Sequence, residues 1–142
     1  MTINCTMSVL MPVYNGGVFL CMAIESILNQ SYKNIELIII NDGSTDNSEE
    51  IIKQYSTRDS RIRSYSRENR GLIETLNEGL SYCTGKYIFR MDQDDIATLD
   101  RVKVQKEYLD KNENVLVCGT WVKDIDESGN ELKMRKLPTD HL

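Results

Sequence analysis

Short apolar runs alternate with amphipathic stretches along this chain. "MSVLMPV" (Met7 to Val13) is apolar and partly β-branched and predicts a strand; "YNGG" after it is a loop. Leu20, Ala23, Ile24, Ile27 and Leu28 then recur at helical spacing, which predicts a helix to about Gln30. "IELIIIN" (Ile35 to Asn41) is apolar apart from Glu36, as expected of a strand covered on both faces. Asp42-Gly43 makes a turn. Asp46 with Glu49 three residues later reads as a capping-box helix start, with Ile51, Ile52 and Tyr55 on the apolar face. Arg61 to Ser66 reads as a third strand and "ENRG" as a loop. Leu72, Leu76 and Leu80, four apart, predict a helix that ends near Thr84-Gly85 with the glycine as cap. "KYIFRMD" (Lys86 to Asp92) predicts a fourth strand, and Val102 to Leu109 a helix that Thr98 caps. "VLVCGTW" (Val115 to Trp121) predicts a fifth strand, and "DESGNE" (Asp126 to Glu131) a hairpin turn.

Strand and helix alternate repeatedly, which calls for crossover units, a mostly parallel sheet and helices on both of its faces, an α/β fold. Ligands of such sheets bind beyond the carboxyl ends of the strands. The polar clusters "PVYNGG", "NDGSTD", "ENRG" and "DQDD" all fall at those ends. Four polar loops at one sheet edge predict a site there.

Bulk properties narrow the ligand. The 142 residues suit one domain, 1–142. A net charge of -5 with no basic stripe excludes nucleic acid held by phosphate neutralisation, but not a nucleotide bound through a metal. No apolar run approaches the roughly 20 residues that span a bilayer. Met1 to Met7 lack a basic and then apolar leader, so no signal peptide is expected. Cys5, Cys21, Cys83 and Cys118 form no C-x-x-C pair and read as small buried hydrophobes in a reducing cytosol, and His141 as an exposed tail residue. A zinc site is disfavoured.

The chemistry concentrates in four places. Asp92, Asp94 and Asp95 end an apolar strand in a knot of like charge, which a cation must relieve. In extended backbone, residues two apart point the same way, so Asp92 and Asp94 can share one ion while Asp95 supports the loop. One or two carboxylates, completed by substrate phosphates and water, suit Mg2+ or Mn2+; the bland alternative is a solvated acidic turn. Asp42 precedes Gly43 where no hairpin belongs, and can accept a hydrogen bond from a base N–H. Tyr14, Asn15, Gly16 and Gly17 make the first loop, and Asn69-Arg70-Gly71 offers Arg70 to a diphosphate. The dinucleotide fingerprint G-x-G-x-x-G is absent, so a nicotinamide domain is disfavoured.

"SVLMPVYNG", "AIESILNQSYKNIELIIINDGSTDNS", "ENRGLIETLNEGLSYCTGKYIFRMDQDD" and "LDRVKVQ" together resemble the family 2 inverting glycosyltransferases of the GT-A fold, over roughly Met7 to Gln105. The resemblance implies a nucleotide-sugar donor, usually a UDP-sugar, held with Mg2+ or Mn2+, and a saccharide or lipid-linked acceptor. It also implies a place in cell-surface polysaccharide or glycoconjugate synthesis, in the cytoplasm or peripheral to the inner face of the membrane. Pro12, Val13 and Tyr14 match the loop lining the nucleoside, with Asn15 beside them. Asp42 matches the aspartate that bonds uracil, Asp92 and Asp94 the two aspartates of the DxD motif, and Asn69, Arg70 and Gly71 a loop near the nucleotide. Asn41 departs from the pattern, standing where many members carry an aspartate. The family's catalytic base lies in a later segment, expected beyond Leu142, while Asp124, Asp126 and Glu127 read as turn residues. The chain is therefore expected to be the donor-binding part of a longer enzyme, with some tendency to self-associate.

Four other readings compete. In a haloacid-dehalogenase-type phosphotransferase D-x-D sits in the first strand and leads into Thr or Val, whereas here it is late and leads into Ile96. An EF-hand loop counted from Asp92 would need Gly and Glu where Ala97 and Lys103 stand. A sugar-nucleotide nucleotidyltransferase would carry a basic glycine-rich first loop, and "YNGGVF" has no Lys or Arg. A nucleotide-binding fragment without turnover is the non-enzymatic alternative.

Overall fold

The computed structural model describes residues 7–139, so Cys5 and His141 lie outside the described residues. The chain divides into two compact units, Met1–Lys106 and Glu107–Leu142.

The first unit is built on four parallel strands: β1 (Met7–Val13), β2 (Ile35–Asp42), β3 (Ile62–Arg67) and β4 (Tyr87–Arg90). Their order in the sheet is β3-β2-β1-β4, with Met7 opposite both Ile35 and Tyr87, and Asp42 opposite Arg67. Every residue of β1 and β2 is buried, because both strands are internal and covered on both faces. Period-2 geometry sends Met7, Val9, Met11, Val13, Leu37 and Ile39 to one face. There they pack with Leu20, Ala23, Ile24 and Ile27 of α1 (Leu20–Leu28) and Ile52 of α2 (Ser48–Arg58). Leu10, Ile38 and Ile40 go to the other face, under Leu76 of α3 (Leu72–Tyr82). Each fully buried Leu, Ile or Val contributes about 1.5–3 kcal/mol relative to exposure. This is the expected α/β sheet, with helices on both faces.

Glu36 is the polar exception in β2, and its charge is answered. Ser8 Oγ donates to Oε1 at 2.6 Å, Thr84 N–H and Oγ1 donate to the same oxygen at 2.7 and 2.9 Å, and Arg63 Nη1 donates to Oε2 at 3.1 Å. Burial alone would raise its pKa; these donors outweigh it and hold the carboxyl below its ordinary range. Glu36 therefore clamps the lower end of the sheet, away from the polar loops.

The buried row of α3 is Thr75 and Gly79, whereas Leu72 and Leu80 are 51% and 47% exposed. The small side chains bring the helix close to the sheet: a Cβ at Gly79 would fall 2.3 Å from Leu10 Cδ1. Several predicted details change. Gly85 is not a helix cap; α3 is followed by Cys83 in extended conformation, and the Gly85 backbone packs against that of Ser8. At the start of α2, Asp46 does not form a capping box with Glu49. Its Oδ1 accepts from Ser48 N–H at 3.0 Å, and Glu49 pairs with Lys53. β4 is shorter than predicted, ending at Arg90 rather than Asp92. Cys21, Cys83 and Cys118 are half-buried rather than enclosed.

α4 (Arg101–Lys111) begins with Arg101 N–H on the carbonyl of Thr98 at 3.0 Å, so Thr98 meets the helix with its backbone. In the second unit, no strand forms over residues 115–121. An apolar β-branched run becomes a strand only where it finds a ladder to join. The strands that form are β5 (Val122–Ile125) and β6 (Glu131–Arg135), an antiparallel hairpin. Asp126 makes its turn, accepting from the N–H groups of Ser128 and Asn130 at 2.9 and 2.8 Å. Among the described residues no helix is long and apolar enough to cross a membrane.

Candidate functional site

A cavity of about 450 Å³ opens at the carboxyl ends of the parallel strands, within the size range of small-ligand pockets. Pro12, Val13 and Tyr14 reach it from the end of β1, and Asp42 from the end of β2. Asn69 and Gly71 come from the loop after β3, and Asp92 and Asp94 from the loop after β4. Of the residues singled out from sequence for this site, Asn15, Gly16, Gly17, Arg70 and Asp95 are not in its lining. Asn15 is a loop latch, at φ +52°, with Oδ1 accepting from Thr45 N–H at 2.8 Å and its own N–H donating to Ser44 Oγ at 3.0 Å. Arg70 serves through its backbone, and its side chain is exposed.

Asp42 is the best-held group of the site. Its carboxylate accepts from Arg67 and from the Arg70 N–H (2.8 Å) on Oδ1, and from the Gly71 N–H (2.9 Å) on Oδ2. Asn69 Nδ2 donates to its backbone carbonyl at 2.9 Å. Burial pushes the Asp42 pKa up, but these three donors outweigh it and keep the group below the usual carboxylate range. A carboxylate has about four lone-pair positions, so one on Oδ2 is left for a ligand. Gly43 makes this wrapping possible: its φ is +72°, and a Cβ there would lie 2.6 Å from Asn69 N. Asn41, the departure from the family pattern, accepts from Ser44 N–H at 3.0 Å and shapes the same turn.

Arg67 was not foreseen. It bridges Asp42 and Glu78, and its Nη2 donates to Thr75 Oγ1 at 3.0 Å. Its position opposite Asp42 depends on the β2–β3 register, which no local pattern reveals. Leu72, Thr75, Arg90 and Gln93 also line the cavity unforeseen. Gln93 is the middle residue of the D-x-D run, and its side-chain amide bonds the Tyr14 backbone twice, at 2.8 and 2.9 Å.

The acid loop differs from the expected extended strand. Gln93 and Asp94 sit in a turn closed by Asp95 N–H on Asp92 O at 3.3 Å. Asp92 and Asp94 still face one cavity, through the turn rather than through strand alternation. Arg90 pairs with Asp92 at 3.1 Å. Burial, with the charges of Asp92 and Asp94, raises the Asp95 pKa. Arg101 lies over the Phe89 ring at 4.5 Å; burial lowers its pKa against the opposing pull of Asp95 and Asp92. The cluster is thus partly neutralised by two arginines.

The donor set fits Mg2+ or Mn2+ in one specific way. Among the described residues, no group of three or more His, Cys, Asp or Glu is placed to hold an ion alone. Two hard carboxylates suffice for such an ion when a ligand's phosphates and water complete the octahedron. Asp92 and Asp94 would hold an ion that arrives with a diphosphate.

Comparison with known proteins agrees with this geometry. Residues 8–140 match the family model of Glycosyl transferase family 2. The glycosyltransferase GlyG of Streptococcus pneumoniae is 36% identical over 124 residues, covering 87% of this chain and 41% of that protein. The chain spans about half or less of the curated relatives it matches. Staphylococcus aureus TarS, solved as residues 1–349 with UDP-GlcNAc, shares the fold at TM-score 0.70 and 21% identity, over 76% of this chain and 32% of that one. The mannosyltransferase PcManGT of Pyrobaculum calidifontis, solved with GDP-Man and Mn2+, aligns at TM-score 0.64 and 21% identity, over 72% of this chain and 31% of its own. The chain belongs to glycosyl transferase family 2, which sets aside the dehalogenase-type and nucleotidyltransferase alternatives.

Proposed function

We propose that this family 2 domain is the donor-binding part of a longer glycosyltransferase. That enzyme moves a sugar from a nucleotide-sugar donor, UDP-linked, to a hydroxyl of a saccharide or lipid-linked acceptor, with inversion. One observation carries the reading: the cavity gathers nearly every residue that the family pattern assigns to the donor, from four separate strand ends. Nucleotide sugars held by proteins of this fold, UDP-GlcNAc on TarS and GDP-Man on PcManGT, support the ligand class.

The residues divide the work. The remaining lone pair of Asp42 accepts an N–H of the base. Tyr14, half exposed at the lip, offers its ring to the nucleoside. Asp92 and Asp94 orient the diphosphate through Mg2+ or Mn2+, which when bound supplies Lewis-acid neutralisation of the leaving group. No cavity carboxylate is assigned as the base that deprotonates the acceptor. Asp124 pairs with Arg135 and Asp126 is spent on its turn, so neither takes that role. In this reading the enzyme works in the cytoplasm or peripherally at the inner membrane face, in cell-surface polysaccharide or glycoconjugate synthesis.

Calorimetric titration of UDP, with GDP and CMP as controls, tests the proposal. UDP is expected to bind, more tightly with Mn2+, and Asp94→Asn is expected to lose the Mn2+-dependent part. Absence of nucleotide binding in the presence of Mn2+ refutes the donor site. Because no cavity carboxylate is assigned as the base, one second reading stands, a nucleotide-binding part without turnover; sugar transfer by this chain would exclude it. Self-association belongs to the same proposal, and a single monomeric sedimentation boundary at all concentrations would exclude that.

A further inference from the structure

Two segments of the donor cavity, the end of β1 at Tyr14 and the acid loop at Asp92–Asp94, lie past the paired part of their strands. β1 and β4 pair only as far as Leu10 opposite Arg90, with Met91 N–H on Leu10 O at 3.0 Å as the last ladder bond. Beyond it, β1 continues to Val13 against β2 alone, with Tyr14 just past its end, and the chain after β4 turns into the acid loop. Gln93 spans the gap. Its Oε1 accepts from the Tyr14 N–H at 2.8 Å and its Nε2 donates to the Tyr14 carbonyl at 2.9 Å. The backbone fixes the polarity: an N–H needs an acceptor and a carbonyl needs a donor, and a primary amide offers both. The side chain therefore does what a neighbouring strand would have done. Gly16 leaves room for it, since a Cβ there would lie 3.3 Å from Oε1 and 3.1 Å from Leu20 Cβ.

We propose that Gln93 is a positioning residue that couples the nucleoside lip at Tyr14 to the ion-holding lip at Asp92 and Asp94. Gln93 sits between the two aspartates, so fixing its amide on Tyr14 fixes their backbone relative to the nucleoside loop. An ion drawn into the acid loop then tightens the nucleoside loop, and the reverse, because linkage between two sites is reciprocal. The inference rests on the donor-site reading, and it adds that the two halves of the donor are bound cooperatively through one side chain.

Gln93→Met keeps length and volume but removes both hydrogen bonds. Two measurements judge it. In amide hydrogen exchange followed by NMR, the Tyr14 N–H of Gln93→Met is expected to exchange roughly tenfold faster, the loss of about one net hydrogen bond, with Val9 and Met11 amides unchanged. Unchanged Tyr14 protection overturns the latch whether or not a nucleotide binds. In calorimetry, the factor by which Mn2+ improves UDP affinity is expected to fall by roughly tenfold in Gln93→Met, for the same loss, while uridine affinity changes little. An undiminished Mn2+ factor overturns the coupling; equal losses for uridine and UDP mark Gln93 as a direct ligand and also overturn it. If the unsubstituted chain binds no UDP, the donor-site reading and the coupling both fall, and the exchange result separately judges the latch.

Discussion

Arg67→Met probes the knot around Asp42. The substitution keeps an unbranched apolar stem, shorter by the guanidinium head, and removes every donor. Four acceptors lose a partner together: the carboxylates of Asp42 and Glu78, Thr75 Oγ1 and the Glu68 carbonyl. The Asp42 side chain is 5% exposed, so its charge is stranded where water reaches it poorly. Removing one partner of a buried ion pair costs about 3–5 kcal/mol. Two features pull the value down. Asp42 keeps the N–H donors of Arg70 and Gly71, and Glu78, 28% exposed, regains water. The expected loss is about 3 kcal/mol, which urea unfolding reads as a midpoint lowered by about 1–2 M for a small domain. Acid adds a second arm. The folded pKa of Asp42 lies below its ordinary 3.8, so its contribution is present above that value and is lost as pH falls through the folded pKa. Without Arg67 the folded pKa rises, and the deficit, full at neutral pH, shrinks as pH falls through the folded pKa of the unsubstituted chain. The exposed Lys53–Glu49 pair is the control, with about 0.3–0.5 kcal/mol at stake in Lys53→Met. A loss below about 1 kcal/mol for Arg67→Met at neutral pH, typical of a surface pair, or a deficit that does not shrink in acid, refutes the reasoning.

Other predictions follow from the same geometry. Gly43→Ala places a Cβ 2.6 Å from Asn69 N at a φ of +72°, and is expected to cost about 1–3 kcal/mol in urea unfolding and to weaken UDP binding, since the loop it displaces carries the donors to Asp42. Glu36→Gln removes the charge on which Ser8, Thr84 and Arg63 converge and is expected to destabilise by about 1–3 kcal/mol at neutral pH. Because the folded Glu36 pKa is depressed, that deficit disappears as pH falls through it, and a pH-independent loss would contradict the assignment.

Much of the fold and most of the cavity lining were legible in the residues. β1 and β2 were read nearly residue for residue, because an unbroken apolar run between turn signals has few other uses. Asp42, Asp92 and Asp94 were found because each interrupts such a pattern at a strand end. The register-dependent part was hidden. Arg67 bonds Asp42 across 25 positions, and Gln93 bonds Tyr14 across 79. Nothing within a turn or two of either residue betrays its partner.

The α3 face and the last apolar run show the same boundary from the side of packing. Leu72, Leu76 and Leu80 form one helical row and Thr75 and Gly79 form another, and hydrophobicity favours the first. The sheet selected the second, because only small side chains let the helix backbone close on Leu10 and Ile40. Val115 to Trp121 has the composition of a strand and does not form one, since a strand is a property of a pair of segments. Spacing and turn chemistry are local, so the chain determined its periods, its turns and which residues stand at strand ends. Register, close approach and the pairing of distant polar groups exist only between segments, and the tertiary structure alone decided them.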